Sequence, residues 1–573
     1  MFISFQQKKP NITNGEMTYK KGHRQFLFRG YFSFENKMYL DKDACRFINE
    51  KVIDEGTIDP ANLNGIFLLI IINEHRSLIH ILNDRFGFYH FFYSRSKEGI
   101  LIGDNFWEVA MKAGSQKTDE ISVAEFLQFR FVSGKDTLAK DVFCIEPASL
   151  YTIDFGGDET SIKRTEYWKF AYTPAEFSEK EAEEAIHSTL ATIIKRYKTG
   201  LFENKRIGLN LTGGYDSRYL LALLLQQTEK SQLKTFTFGS AECDDMEIVR
   251  ELVEKLKLPA HLEIFDPYFR DFFRTSNISE ILKEIGFFTY YLQGYGIKKL
   301  EEKYRNIDYL LTGSDGYFIG LNANEQLFGL KDSDQLAEYI FKINATMLSP
   351  EEAKLVLKEA DFDPKGEVLK KVKDALSGFD GDPISAFFDW TLKNRHRKYL
   401  MSIYEIQSRH ALHLMPFYDY DFIDLMAKLP YNLLKDQKAY INALMKMALT
   451  DDLSILKEVP FELRGKLVVS GENFQPKKRS KFTFANLRSK MLNPPDPTFQ
   501  YPIQQTLRKF PEIWDTIHNE LQMSNSKYLD PEKCIALIDK NKRSNIFTRY
   551  GMVVILSVIR FEKLLTNNPF REQ

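Results

Sequence analysis

The sequence predicts two domains, an antiparallel β-rich unit with helices followed by an α/β unit whose parallel sheet carries many added helices. Three observations predict this. The 573 residues are several times the usual domain size, so roughly two to four domains are expected from length. Residues 1–155 are broken into short apolar runs separated by polar turns. From Ser178 onward, strand-like runs alternate with helical periodicity over short connections, the pattern of a parallel sheet covered by helices.

In chain order, Gly65–Ile72 is a buried strand, and Ser77–Leu82 is its antiparallel partner across the turn Asn73-Glu74-His75-Arg76. His90–Ser94 and Gly99–Gly103 are further strands, Ile121–Arg130 is a short helix, and Ser149–Ile153 is the last strand. The glycine-rich turn Asp154–Asp158 closes this domain, and residues 156–177 are expected to be a linker to the second domain, 178–573. Ser178-Glu-Lys-Glu181 is a capping box that starts a helix running to about Lys198. Arg206–Leu211 is a strand, followed by a glycine turn and a leucine-rich helix to Gln227. Lys234–Gly239 is a second strand and Met246–Leu256 a second helix. Beyond about residue 330 helical patterns dominate, ending in Met552–Leu565. Asn493–Thr498 is a loop or linker.

Composition removes several classes of function. Lys plus Arg number 78 against 79 Asp plus Glu, for a net charge of -1, which excludes a broad electrostatic grip on nucleic acid. The basic cluster Lys477–Lys481 reads as a solvated face. Cys45, Cys144, Cys243 and Cys534 lie far apart with no Cys-x-x-Cys pair, so neither a disulfide framework nor a zinc knuckle is expected. The apolar run Ile66–Ile72 is far too short to span a bilayer, and no apolar segment of a secretory signal follows Met1–Pro10. A reducing cytoplasm is the expected compartment.

The chemistry concentrates in Leu211-Thr-Gly-Gly-Tyr-Asp-Ser-Arg218, between a strand and a helix. Paired glycines let backbone approach an anion, and the free amides of the helix start are oriented to receive it. The hydroxyls of Thr212 and Ser217 add donors. No Gly-Lys-Ser/Thr follows, so the Walker pattern is absent. The alternative, taken from this segment alone, is a tight strand-to-helix turn without a ligand.

This segment resembles the Ser-Gly-Gly-x-Asp-Ser pyrophosphate loop of the asparagine synthetase family, which includes β-lactam synthetases and lasso-peptide cyclases. Thr212 stands for the first Ser, and Arg218 for a small residue. Further blocks follow in the family's order: Leu63-Asn64-Gly65-x-Phe67, Asn83–Phe88, Phe236–Gly239 with Asp244 and Asp245, Thr312–Asp315, and Met415-Pro416-Phe417-Tyr418-Asp419. The resemblance covers roughly residues 60 to 450. It implies an N-terminal β-sandwich of the Ntn-type amidotransferase-like kind and a C-terminal sheet of the adenine-nucleotide α-hydrolase-like (PP-loop) type. It also implies ATP and Mg2+. Leu211, Thr212, Gly213, Gly214, Asp216, Ser217, Phe238, Gly313 and Ser314 would bind the nucleotide, and Asp216 and Asp315 the metal. Asp216 as a helix cap and Asp315 as a turn residue remain alternatives.

The sequence also departs from the family. Position 2 is Phe2, where glutamine-hydrolysing members carry a nucleophilic cysteine, so glutaminase activity is not expected and the domain reads as a scaffold or cleft wall. The family's Glu and Arg, four and two residues before the Pro of the Pro-Phe block, are replaced by Leu412 and Leu414. Glu405, Arg409 and His413 are candidate replacements, each with the alternative of a structural polar residue. For the family's late catalytic lysine, Lys466 in Arg464-Gly-Lys is the candidate, with Lys438 and Lys481 as rivals. Glu405 and Lys466 are thus the catalytic candidates.

The resemblance implies an ATP-dependent, AMP-forming carbon–nitrogen ligase that adenylates a carboxylate. The alternatives are a nucleotide-binding pseudoenzyme acting as a scaffold, and a tRNA-modifying thiolase, which the neutral charge and absent cysteine pairs disfavour. Expected partners are a small-molecule or peptide carboxylate and an amine or ammonia, with a homodimer as candidate assembly and neither nucleic acid nor membrane. The aromatic-rich stretches holding Phe287, Phe288, Tyr290, Tyr291, Tyr295, Tyr317, Phe318 and Phe417 are candidate pocket walls or core.

Overall fold

In a computed structural model, the structure describes residues 2–6, 9–13, 18–96, 99–157, 159–265, 269–274, 280, 295–296, 300, 302–314, 325–378, 382–447, 454, 456, 501–544, 547–548 and 550–567. The N-terminal domain is two antiparallel sheets. One has five strands, in the order 143–144, 92–96, 99–103, 2–6, 9–13. The other has seven, in the order 161–166, 149–154, 78–83, 64–73, 24–34, 19–21, with 37–39 added beside 24–34.

The strand Asn64–Asn73 is buried along its whole length, and period-two alternation explains why. Phe67, Leu69 and Ile71 join Phe26, Phe28 and Phe32 in a core closed by the helix Asp41–Phe47. Ile66, Leu68, Ile70 and Ile72 face the other way, into a core shared with Ile186, Leu190, Ile193 and Tyr197 of the helix Glu179–Gly200. One apolar cluster therefore runs through both domains. Ser178 and Glu181 form the expected capping box of that helix.

Residues 156–177 do not behave as a free linker. Ser161–Glu166 pairs antiparallel with Ser149–Asp154 and forms the edge strand of the larger sheet. The following residues are strapped onto the second domain: the Phe170 and Tyr172 amides donate to Asp389 Oδ1 (2.8 Å) and Ser385 Oγ (2.7 Å). The edge strand has no apolar face in its sequence, so only the backbone ladder reveals it.

The second domain is built on a parallel sheet, ordered 260–264, 233–239, 207–210, 309–312, 412–414. Its carboxyl ends carry the loops 211–214, 239–243 and 313–314, the place where open α/β sheets bind ligands. Asn210 draws these ends together. Its amide nitrogen donates to Thr312 Oγ1 and Gln407 Oε1, each at 2.9 Å, and its oxygen accepts from Tyr304 OH at 3.2 Å.

The domains meet through buried polar groups supplied by the sequence blocks noted above. Asn64 donates to Asp419 Oδ1 (2.8 Å) and accepts the Tyr420 amide (2.7 Å). Arg196 ion-pairs with Asp419 and, at 2.9 Å, with Asp421. Burial opposes the Arg196 charge, but the Asp419 carboxylate outweighs it and raises the guanidinium above its ordinary pKa. Arg85 pairs with Asp424 at 2.8 Å and lies 3.9 Å above the Tyr420 ring. Gly87 has φ +60, and a Cβ there would stand 2.8 Å from Arg397 Nε, so the glycine admits a side chain of the other domain. Arg397 sits in a π-helical turn, Leu392–Leu400, and donates to the carbonyls of Gly87 (2.7 Å) and Ile145 (2.6 Å).

Two predictions follow from this interface. Asp419→Ala strands the buried Arg196 and is expected to cost about 3–5 kcal/mol in urea denaturation. Asp421→Ala, at a half-exposed carboxylate, should cost less than about 1 kcal/mol. Equal losses would contradict the network.

His413 is buried between Tyr404 and Phe88, and among the described residues neither of its ring nitrogens has a hydrogen-bond partner. Burial pulls it down to about 3, and the neighbouring His90 to about 4, from the usual 6.5. The folded chain therefore binds fewer protons than the unfolded one in this window, so stability present above pH 6.5 falls as pH drops toward 4 and below. His413→Phe should keep or raise Tm at pH 7 and reduce the acid loss. A lower Tm with an unchanged acid profile would refute this.

Candidate active site

The strand Ile207–Asn210 ends in Leu211, whose amide donates to the Phe236 carbonyl at 2.9 Å and whose carbonyl accepts from Thr237 Oγ1 at 2.7 Å. The neighbouring strand Leu233–Gly239 thus fixes where the loop begins. Gly214 is the N-cap of the helix Tyr215–Gln227 and offers no side-chain cap. Glycine at this position supplies no capping hydroxyl to the first turn.

Inside the loop, Ser217 Oγ accepts the Thr212 amide and lies 3.1 Å from Thr212 Oγ1. The Gly214 amide donates to Thr212 Oγ1 at 3.3 Å. The Gly213 amide donates to Asp245 Oδ1 at 2.7 Å, from the first turn of the helix Asp244–Leu256. The Gly213 amide thus meets a carboxylate oxygen of the neighbouring helix.

Asp216 is buried, and its Oδ1 accepts from Tyr440 OH at 2.9 Å. With Gly214 as the N-cap, Asp216 is a second-position residue and not the helix cap. Gly313 presses on the same turn: a Cβ at this position would lie 2.3 Å from the Ser217 amide nitrogen. Only glycine allows the loop after the 309–312 strand to approach the Ser217 turn this closely. Ser314 follows it, half-buried. Arg218 is wholly buried, donates to the Leu456 carbonyl at 3.0 Å, and is lowered to about 9 by burial.

The structure therefore brings together Leu211, Thr212, Gly213, Gly214, Asp216, Ser217, Gly313 and Ser314. Phe238 lies at the end of the adjacent strand, its ring 5.5 Å from Phe265 and 6.2 Å from Tyr501. Asp315 and Lys466 lie outside the described residues, as do Lys481, Phe287, Phe288, Tyr290, Tyr291, Tyr317 and Phe318. Tyr295 and Phe417 are buried core. Lys438 ion-pairs with Glu179.

Glu405 is placed elsewhere. It is buried at the domain interface, where Oε1 accepts the His90 amide at 2.9 Å and Oε2 meets His90 Nδ1 at 2.6 Å. The cavity it lines, with Tyr309 and Leu412, opens at the amino ends of the strands 309–312 and 412–414, opposite the glycine loop. Arg409 lines the same cavity. Sequence spacing does not point to the Tyr440–Asp216 contact or to the Asn210–Gln407 pair. Both are long-range contacts with no motif of their own, and a tyrosine at helical spacing reads as core.

Among the described residues, no helix is long and apolar enough to cross a membrane, and no cluster of three or more metal-ligating side chains occurs.

A family model for the glutamine amidotransferase domain matches residues 47–168, and the asparagine synthase model matches residues 197–449. The chain is 21% identical to asparagine synthetase (glutamine-hydrolyzing) 1 of Bacillus subtilis over 295 residues, covering 49% of this chain and 44% of that protein. It is 23% identical to a putative asparagine synthetase (glutamine-hydrolyzing) 2 of Methanocaldococcus jannaschii over 266 residues, covering 46% and 48%. It is also 23% identical to the Homo sapiens asparagine synthetase (glutamine-hydrolyzing) over 257 residues, covering 42% and 41%. The chain thus spans under half the length of these curated relatives. An amidotransferase-like domain followed by a synthase domain, with a glycine loop at the carboxyl end of its parallel sheet, places this chain in the asparagine synthetase family.

Proposed function

We propose that the chain adenylates a substrate carboxylate with ATP, releasing pyrophosphate, and passes the acyl group to ammonia or an amine without hydrolysing glutamine. The observation that carries this reading is the Gly213 amide, which meets a carboxylate oxygen at the mouth of a helix. The amides of Gly213 and Gly214, with the hydroxyls of Thr212 and Ser217, would hold the pyrophosphate portion, and Phe238 would flank the base. Asp216, a buried carboxylate in the first turn of the helix after this loop, fits a Mg2+ ligand, with Asp315 as the second. The metal would supply charge neutralisation on the phosphate oxygens.

In the first step a carboxylate oxygen attacks the α-phosphorus and the bond to the bridging oxygen breaks, so pyrophosphate leaves. In the second, the amine nitrogen attacks the acyl carbon, AMP departs, and the nitrogen loses a proton. The loop donors act where negative charge grows, which is where fixed dipoles contribute most. Lys466 is the proposed donor to that charge. Glu405, with both oxygens on His90, is assigned to holding the interface rather than to proton transfer.

The absence of glutaminase activity rests on the cysteines that are present. All four are buried, and burial pushes the Cys45 thiol up to about 12. Phe2 lies in a strand paired with Thr13 and Gly103. The scaffold alternative is not favoured, because the loop, its hydroxyls and Asp216 are retained together.

Pools of carboxylates with ATP and Mg2+, scored for pyrophosphate exchange, test the reading. AMP with pyrophosphate supports it, and ADP with phosphate refutes it. Asp216→Asn should lower exchange by about 100-fold or more with Tm nearly unchanged; undiminished exchange would remove its metal role. Gly313→Ala should abolish exchange by pushing the Ser217 turn out of place, and full activity in that variant would contradict the close approach.

A further inference from the structure

Asp216 stands in the first turn of the helix Tyr215–Gln227, yet a group that holds its carboxylate comes from a helix 224 positions further along the chain. Tyr440, buried in the helix Lys438–Met447, donates its hydroxyl to Asp216 Oδ1 at 2.9 Å.

Two sets of contacts fix where that hydroxyl lies. The helix is tied to the helix Glu179–Gly200: Lys438 pairs with Glu179, Asn442 Nδ2 donates to Glu183 Oε1 at 2.9 Å, and Lys446 pairs with Glu183. The Tyr440 ring packs on Tyr219, with ring centres 5.4 Å apart, and on Phe417 at 6.1 Å. Phe417 belongs to the Met415–Asp419 block, whose last residue pairs with Arg196. The phenol is therefore seated by the same packing that joins the domains.

Tyr219 provides a contrast within this cluster. Its hydroxyl is also buried, but among the described residues it has no hydrogen-bond partner. Burial of a phenol here does not by itself produce a contact with a carboxylate. The choice of donor matters as well. A phenol donates one hydrogen bond without bringing a positive charge, whereas a lysine in its place would neutralise the carboxylate and repel a cation. A carboxylate oxygen that accepts one hydrogen bond retains a lone pair that can meet a metal. Mg2+ demands near-ideal octahedral geometry at about 2.0–2.1 Å, so a carboxylate ligand has to arrive in one orientation.

We propose that Tyr440 is a positioning residue for the metal, its hydroxyl setting the orientation in which Asp216 meets Mg2+. This rests on the ligase reading, in which Asp216 is a metal ligand.

The test is titration of the full chain with Mn2+ in the presence of ATP, with free Mn2+ followed by electron paramagnetic resonance, beside the Mg2+ dependence of pyrophosphate exchange. Tyr440→Phe removes a single oxygen. It should weaken Mn2+ binding about tenfold or more and raise the Mg2+ concentration for half-maximal exchange by a similar factor, with a smaller loss at saturating Mg2+. Tyr219→Phe removes a buried hydroxyl from the adjoining ring and should leave both constants unchanged. A lower Tm in Tyr440→Phe with unchanged Mn2+ binding would make the hydroxyl merely structural and overturn the proposal. An equal loss of Mn2+ binding in Tyr219→Phe would overturn it too. Absence of Mn2+ binding by the wild type would overturn it together with the metal role of Asp216. Mn2+ binding without exchange would contradict the ligase reading alone, and the Mn2+ constants of the two variants would still decide for or against Tyr440.

Discussion

Burying the Arg196 guanidinium against Asp419 is the constraint on which the arrangement of both domains rests. A charge removed from water is costly unless its partners are fixed, and here they come from three segments. Arg196 lies on the helix Glu179–Gly200, Asp419 opens the helix Tyr420–Met426, and Asn64 reaches in from the N-terminal sheet. Asp419 follows directly on Met415–Tyr418, and Met415 donates its amide to Tyr31 OH, which in turn meets Tyr197 OH at 3.1 Å. The strand Leu412–Leu414 is therefore held from the N-terminal side. It pairs with Tyr309–Thr312, which carries Gly313 into the glycine loop. A chain of close contacts connects the domain interface to the glycine loop.

This changes how the N-terminal blocks are understood. Asp84 accepts the amides of Phe67, Phe86 and Phe88 and so shapes the turn that presents Arg85 and Gly87 to the second domain. Arg85 grips Asp424 and Tyr420, Phe86 packs edge-on against Tyr418 and Tyr420, and Gly87 makes room for Arg397. These residues are docking groups. A domain whose cysteines are all buried can still be indispensable if its surface is one wall of the other domain's core, and the apolar cluster shared by Ile66–Ile72 and the helix Glu179–Gly200 gives that wall its continuity.

Much of this was legible in the sequence where local chemistry determines structure. Ser178 and Glu181 announce a helix start, Gly213 and Gly214 a strand-to-helix turn, and the Gly65–Ile72 run a strand buried on both faces. Other features are not local. The edge strand Ser161–Glu166 has a polar, mostly exposed sequence, so its register is set by its neighbour and not by a buried face. The π-helical form of Leu392–Leu400 accompanies the seating of Arg397 on the N-terminal domain. Its place before the Pro416 block makes Glu405 a candidate for acid–base chemistry. Its partner His90 is 315 positions away in sequence, a pairing that no spacing argument reaches. The contact of Tyr440 with Asp216 is long-range in the same way.

If the buried network joins the two domains as described, they should not melt apart. Differential scanning calorimetry of the intact chain tests this most directly. One cooperative transition, with calorimetric and van't Hoff enthalpies in agreement, is the expected result. Two resolved transitions, with the N-terminal sheets unfolding while the parallel sheet stays intact, would contradict it.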